Sequence, residues 1–367
     1  MPAEIPLFIQ QRLEEQRKNL ALRQLQVAKP GQVDFTSNDY LGLASAGLVT
    51  IPDSFTHGST GSRLLSGNFT AAQDLENTIA LFHHTPAAVL YNSGYSANLG
   101  ILSCIAREGD TILYDLLSHA SIRDGIKLSR AQAFPFLHND LEDLERRLKQ
   151  PAGSVYVVTE SLFSMDGDPA PLKEIVELCE KYGAYLIVDE AHATGVVGKK
   201  GEGLVQSLGL EQQVFARIHT FGKALGCHGA AVMGSLALKD YLLNFSRPLI
   251  YTTSLPPSAI EAIRISYTLF PEMDFERKHL ARLADVFQSL HFPFEKLSSS
   301  SPIQALMIPG NEKVSDTARH LQMRGFDCRP IRYPTVPKNK ERIRIILHAF
   351  NKEDEITRLC EELNKAY

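Results

Sequence analysis

No stretch of this 367-residue chain holds the roughly 18 consecutive apolar residues that a membrane-crossing helix needs. The N-terminus, "MPAEIPLFIQQRLEEQRKNLALRQLQ", lacks an apolar core between a basic start and a small-residue cleavage site, so it does not read as a secretory signal. Cysteine is scarce. The five, at positions 104, 179, 227, 328 and 360, are odd in number and too far apart for a zinc knuckle or a redox pair. A reduced, cytoplasmic setting is expected. An excess of one charge is also missing: the formal net charge of -4 leaves no basic footprint for nucleic acid or an anionic membrane. Neither a low-complexity linker nor a repeat of fixed period interrupts the chain.

What is present is an ordinary globular composition, in a chain long enough for one large domain and a smaller one. Residues 6–26 predict a polar, amphipathic helix forming an N-terminal arm, followed by an extended entry through "PGQVDFTSNDYLGL". Between about 86 and 235, short apolar runs ("AAVLYNS", "TILYD", "SVYVVTE", "AYLIVDE", "FARIHT", "AAVMGS") alternate mostly with helix-length amphipathic segments such as "LKEIVELCEKYG". Continuous apolar strands separated by helices signal a mostly parallel sheet covered on both faces. Residues 256–290 predict long helices, and a smaller strand-and-helix unit follows from about 291. The expected division is an arm over 1–45, a large domain over 46–270 and a small C-terminal α/β domain over 271–367.

In an open parallel sheet, ligands bind outside the carboxyl ends of the strands. After "YLIV" come Asp189, Glu190, Ala191 and His192. An acidic residue there is commonly a helix cap. "DEAH" also occurs in nucleotide-hydrolysing helicases, but those need a phosphate loop. Gly222-Lys223-Ala224 lacks both its earlier glycine and its hydroxyl. After "AVLYN" come Ser93, Gly94 and Tyr95, small residues where backbone N–H groups at a helix start can grip an anion. His119 follows "TILYD", and Ser164 follows "VYVVTE"; alone, each reads as a core histidine or a turn. Thr220 ends "FARIHT", and three residues on stands Lys223, which could be a lysine reaching for solvent. Together the strand ends deliver an anion grip, a histidine, a serine, an aspartate with a histidine, and a lysine among small residues. Pyridoxal 5'-phosphate needs that set: N–H groups for its phosphate, an amine for its aldehyde, and a carboxylate for its pyridine nitrogen.

The segments "FTSNDYLGLA", "GSTGSRLLSGN", "YNSGYSAN", "LSHASIRDG", "VTESLFSMDGDPAPL", "VDEAHATGVVG", "HTFGKALG", "IYTTSLPP" and "YPTVPKNKERIRI" occur in one order over nearly the whole chain. In that order the chain resembles the fold-type I pyridoxal-phosphate enzymes. Within them it resembles the α-oxoamine synthases, which condense an amino acid with an acyl-CoA and decarboxylate the product. The resemblance implies that Lys223 binds the cofactor's aldehyde and moves the α-proton, that Asp189 pairs with the pyridine nitrogen, and that His119 stacks on the ring. It implies cofactor contacts from Ser93, Gly94, Tyr95, Ser164, His192 and Thr220. Thr253 is implied to reach the phosphate of a partner subunit in a homodimer with shared sites. Arg23, Asn38, Thr335 and Arg344 are implied substrate contacts.

"GSTGSRLLSG", "HTFGKALG" and the "PTVP" segment lean toward the branch that joins alanine to pimeloyl-CoA, or to its carrier-protein thioester, in biotin synthesis. Two departures keep other branches open. "YPTVP" also suits the branch joining glycine to succinyl-CoA, and "NFTAAQDLE" lacks the histidine the family usually has after "SG". Glycine with acetyl-CoA and serine with a long acyl-CoA stay as alternatives. A non-catalytic subunit of the same fold is the reading from another class, and Lys223, Asp189 and His192 argue against it.

Overall fold

A computed structural model describes residues 5–367. The chain forms two compact units. One comprises Asn38–Ser164 and Asp168–Lys278. The other takes the described residues before Asn38, with Met165–Gly167 and His279–Tyr367.

The first unit is built on a seven-stranded sheet. Its strands are β1 (Ala87–Tyr91), β2 (Thr111–Asp115), β3 (Gln132–Phe136), β4 (Val155–Glu160), β5 (Tyr185–Asp189), β6 (Ala216–Thr220) and β7 (Ala230–Gly234), in the order β1-β7-β6-β5-β4-β2-β3. The pairs β3–β2, β2–β4, β4–β5 and β5–β6 are parallel, and β7 is antiparallel to both of its neighbours. Successive residues enter different apolar clusters: Ile112 one and Leu113 the other, Val158 and Val157, Ile187 and Val188. That period of two, apolar on both faces, explains why these strands read as unbroken apolar runs. Six of them match the expected runs. The seventh, β3, is an edge strand with Pro135 inside it and an alternating exposure pattern, which hides it from a search for apolar runs.

Helices fill the crossovers. Ser93 caps the helix Gly94–Ile105, its Oγ accepting from the Ser96 N–H at 3.1 Å, a contact worth about 1 kcal/mol. The helix Leu172–Tyr182 stops at Gly183, whose left-handed backbone (φ 66°) costs a glycine nothing.

The second unit holds an antiparallel four-stranded sheet containing Ile303–Met307 and Arg342–Ile346, with helices Asn311–Met323 and Glu353–Ala366. The arm helix is shorter than the periodicity predicts. It spans Leu7–Lys18, not 6–26, and Leu20 turns to positive φ (51°) just beyond it. From Asn19 onward the backbone is held by side chains distant in sequence: Asn311 donates to the Asn19 carbonyl at 2.7 Å and Arg332 to the Leu20 carbonyl at 2.7 Å. Such partners replace the helix's own hydrogen bonds, and local periodicity cannot report them. No helix among the described residues is long and apolar enough to cross a membrane.

Candidate active site

The carboxyl ends of β1, β2, β4, β5 and β6 surround a cavity of about 220 Å³. Its wall includes Ser93, Gly94, Tyr95, His119, Asp189, His192, Thr220 and Lys223, eight of the residues singled out from the sequence. It also includes Asn98, Ser121, Glu160 and His228, which strand-end reasoning did not single out.

At one end lies the helix Gly94–Ile105. Its first N–H groups, at Gly94 and Tyr95, have no carbonyl within the helix to pair with, and the helix dipole adds positive potential there. Thr220 closes on the same point: a Cβ added at Gly94 would stand 2.4 Å from Thr220 Cγ2, too close for any side chain. Glycine is therefore needed at 94 for space. Free N–H groups at a helix start suit an anion such as a phosphate.

At the strand ends, Asp189 is buried. Its Oδ1 accepts the Ala191 N–H at 2.8 Å and its Oδ2 accepts from Asn98 Nδ2 at 2.6 Å. Glu160 stands beside it as its register partner on β4. Glu160 is buried and accepts the His119 backbone N–H at 2.6 Å. Burial, reinforced by the charge of Asp189, pushes the Glu160 carboxyl up to about 8. His119 caps the helix Ala120–Leu128. Burial holds its imidazole below the usual range, with Asp189 pulling the other way.

Lys223 sits on the loop between β6 and β7. The loop is closed by bonds from Phe221 N–H to the Gly229 carbonyl at 2.9 Å and from Cys227 N–H to the Phe221 carbonyl at 2.8 Å. The lysine Nζ lies 2.7 Å from His192 Nε2. His192 Nδ1 in turn lies 2.7 Å from the hydroxyl of buried Tyr40.

Other expected residues lie off this wall. Asn38 is half-buried, its Oδ1 accepting from the Tyr40 hydroxyl at 3.4 Å. Ser164 is half-buried beyond the end of β4. Thr253 is exposed, and its carbonyl accepts from Asn92 Nδ2 at 2.8 Å. Arg23, Thr335 and Arg344 belong to the second unit. There Arg23 donates to Thr335 Oγ1 at 3.0 Å, both lining a separate cavity of about 770 Å³. Arg344 is half-buried on the strand Arg342–Ile346, opposite Ala305.

The donor set fits pyridoxal phosphate: an anion grip too tight for a side chain at residue 94, a buried carboxylate, and an amine at hydrogen-bond distance from an imidazole. On a mostly parallel sheet, that set defines a fold-type I pyridoxal-phosphate-dependent transferase.

Comparison with known proteins narrows the class. The family model "Aminotransferase class I and II" matches residues 30–363. An 8-amino-7-oxononanoate synthase from Emericella nidulans is 40% identical, covering 97% of this chain and 94% of that protein. One from Lysinibacillus sphaericus is 39% identical, covering 90% and 87%. Among solved structures, the 8-amino-7-oxononanoate synthase of Francisella tularensis is 30% identical with a TM-score of 0.79, covering 92% of this chain and 98% of that one. The serine palmitoyltransferase of Sphingomonas wittichii is 28% identical with a TM-score of 0.87, covering 98% and 96%. The chain belongs to the aminotransferase class I and II family, as a pyridoxal-phosphate-dependent acyltransferase of the α-oxoamine synthase type.

Proposed function

We propose that this chain joins L-alanine to a pimeloyl thioester, forming 8-amino-7-oxononanoate in biotin biosynthesis. The observation that carries the reading is the near-full-length identity to 8-amino-7-oxononanoate synthases. A carbon–carbon bond forms between the amino acid's α-carbon and the thioester carbonyl, and the thiol leaves. The carboxylate departs as carbon dioxide, and a proton takes its place.

When bound, pyridoxal phosphate supplies an electron sink for the negative charge that builds on the α-carbon. The chain's own residues do the rest. The N–H groups of Gly94 and Tyr95, with Thr220, would hold the phosphate, and Ser93 and Ser164 would complete the contacts around the cofactor. Asp189 would present its carboxylate to the ring nitrogen, and His119 would stack on the ring. Lys223 would hold the aldehyde and would move the α-proton, its amine oriented by His192. Arg23 with Thr335, Asn38 and Arg344 serve as substrate contacts. The test is coenzyme A release with a panel of thioesters from acetyl to pimeloyl and with alanine, glycine or serine. Alanine with pimeloyl-CoA is expected to be fastest. Glycine with succinyl-CoA, if faster, would overturn the assignment.

We also propose a homodimer in the cytoplasm, with Thr253 completing the partner's phosphate site. Large apolar side chains left on the surface of the first unit, Leu65 at 82% exposure and Tyr251 at 73%, support self-association. A two-fold interface gives each chain the contact it receives. Mixing Lys223→Ala with Thr253→Ala chains should restore one intact site per heterodimer. Cofactor retention that stays as weak as in the Thr253→Ala homodimer would end the shared-site reading.

A further inference from the structure

Asn98, Ser121 and His119 form a connected set on the cavity wall. Asn98 Nδ2 donates to Asp189 Oδ2 at 2.6 Å and to Ser121 Oγ at 3.0 Å. An amide nitrogen carries two protons, and both are committed here. The reversed amide would set its oxygen against the Asp189 carboxylate. The orientation therefore stands, although it leaves Asn98 Oδ1 buried without a partner. Ser121 Oγ, which accepts from Asn98, lies 2.8 Å from His119 Nδ1. The Ser121 backbone N–H donates to the same nitrogen at 3.2 Å. A backbone N–H cannot accept, so Nδ1 is an acceptor. The proton of the neutral imidazole then sits on Nε2, at the opposite edge of the ring.

We propose that Asn98 and Ser121 are positioning residues that hold His119 in its Nε2–H form, so that a carboxylate or carbonyl oxygen of the substrates meets a hydrogen-bond donor on the cavity wall. The order of donors runs one way. Asp189 fixes the Asn98 amide, the amide fixes the Ser121 hydroxyl, and the hydroxyl points its own proton at Nδ1. With the other tautomer, Nε2 would offer a lone pair and repel the same oxygen. The same carboxylate proposed to face the cofactor ring thereby also sets the polarity of the imidazole. The inference rests on the reading of this cavity as the reaction site, and not on which acyl donor enters it.

The test is nitrogen NMR of the holoenzyme labelled with ¹⁵N-histidine, in which protonated and unprotonated ring nitrogens resonate far apart. His119→Asn assigns the signal. The expected wild-type signal is a single Nε2–H tautomer. In Ser121→Ala only the longer backbone donor, at 3.2 Å, is left at Nδ1, so the signal should become a mixture of tautomers. The variant's kcat should fall about tenfold, the worth of one ordinary hydrogen bond, with cofactor Kd changed less than about twofold. Ser121→Thr keeps the hydroxyl and should restore both the tautomer and kcat. Asn98→Ala, which removes the donor to Ser121, should shift the tautomer in the same direction as Ser121→Ala. A wild-type His119 protonated on Nδ1 overturns the proposal. So does a Ser121→Ala enzyme whose tautomer is unchanged while kcat, cofactor retention and melting temperature fall together, since that is a packing defect. The tautomer readout needs no substrate, so a failed assignment of alanine or pimeloyl leaves it standing, and its failure leaves that assignment intact.

Discussion

Lys223 Nζ lies 2.7 Å from His192 Nε2, and the far nitrogen of the same imidazole lies 2.7 Å from the Tyr40 hydroxyl. The lysine therefore does not hang in an open cleft. Its amine is held by a ring that is itself held from behind, and the backbone that carries it is tied by the bonds of the β6–β7 loop. An amine kept at one place suits the role proposed for Lys223, which is to meet first an aldehyde and then an α-proton.

Lys223→Ala is expected to remove essentially all turnover while leaving the fold unchanged by circular dichroism. The visible absorbance of the bound cofactor should go with it, because no other lysine lines the cavity among the described residues. A variant that turns over near the parent rate would take Lys223 out of the mechanism.

Asp189→Asn should lower turnover by about 100-fold, or about 2.7 kcal/mol of barrier, since a neutral amide no longer favours a protonated ring nitrogen. Exchange of the alanine α-proton with deuterated solvent isolates that step. Undiminished exchange would refute the role.

Gly94→Ala sets a methyl group against Thr220 Cγ2. The expected result is a weaker grip on phosphate, read as a cofactor Kd raised about tenfold, the scale of one lost hydrogen bond. Thr220→Ser keeps the hydroxyl and deletes the offending methyl, so the double variant should recover most of the loss. Failure to recover would mean that the Gly94 contact is not what limits binding.

Glu160 supplies a pH signature of the fold. Its carboxyl titrates near 8 in the native protein and at about 4.5 as an ordinary glutamate, so the native state holds a proton that the unfolded chain has lost. Between those values stability falls as pH rises, and above about 8 the loss is complete. Glu160→Gln keeps an acceptor for the His119 N–H and removes the titration. The melting temperature of the variant, measured against the parent, should match near pH 4.5, gain steadily toward pH 8 and then level off. A gap that shrinks as pH rises would contradict the direction of the shift.

The central sheet was legible because its strands are apolar on both faces, and a run such as "YLIV" can hardly be anything else. The strand Gln132–Phe136 was not, since an edge strand needs to be apolar only where it is covered. The arm helix was overextended for a different reason: Asn311 and Arg332 take over beyond Lys18, and both lie about 300 residues away. The cavity divides in the same way. Residues just past a strand end could be picked out by rule, and Glu160, the last residue of β4, could have been found by applying that rule one position earlier. Asn98 and Ser121 lie inside helices, where a polar residue gives no hint of which side chain it will meet. Tyr40 lies in a loop 152 positions from its histidine.

The pairing of β1 with β7 sets a timetable for the newly made chain. The strand that emerges first from the ribosome waits for the last of the seven before it has a neighbour. Gly94 follows β1 and Thr220 ends β6, on either side of that late-arriving strand. Contacts between segments so far apart along the chain close slowly, because loop entropy must be lost before the contact rewards it. The β6–β7 hairpin, by contrast, joins neighbours in sequence and needs no crossover. The lysine loop and the hold on an anion therefore wait for the same strand, since β7 closes the hairpin and brings β1 beside it. Until residue 234 is free to pair, the chain has neither the closed lysine loop nor β1 in its place, so one strand completes both sides of the cavity at once.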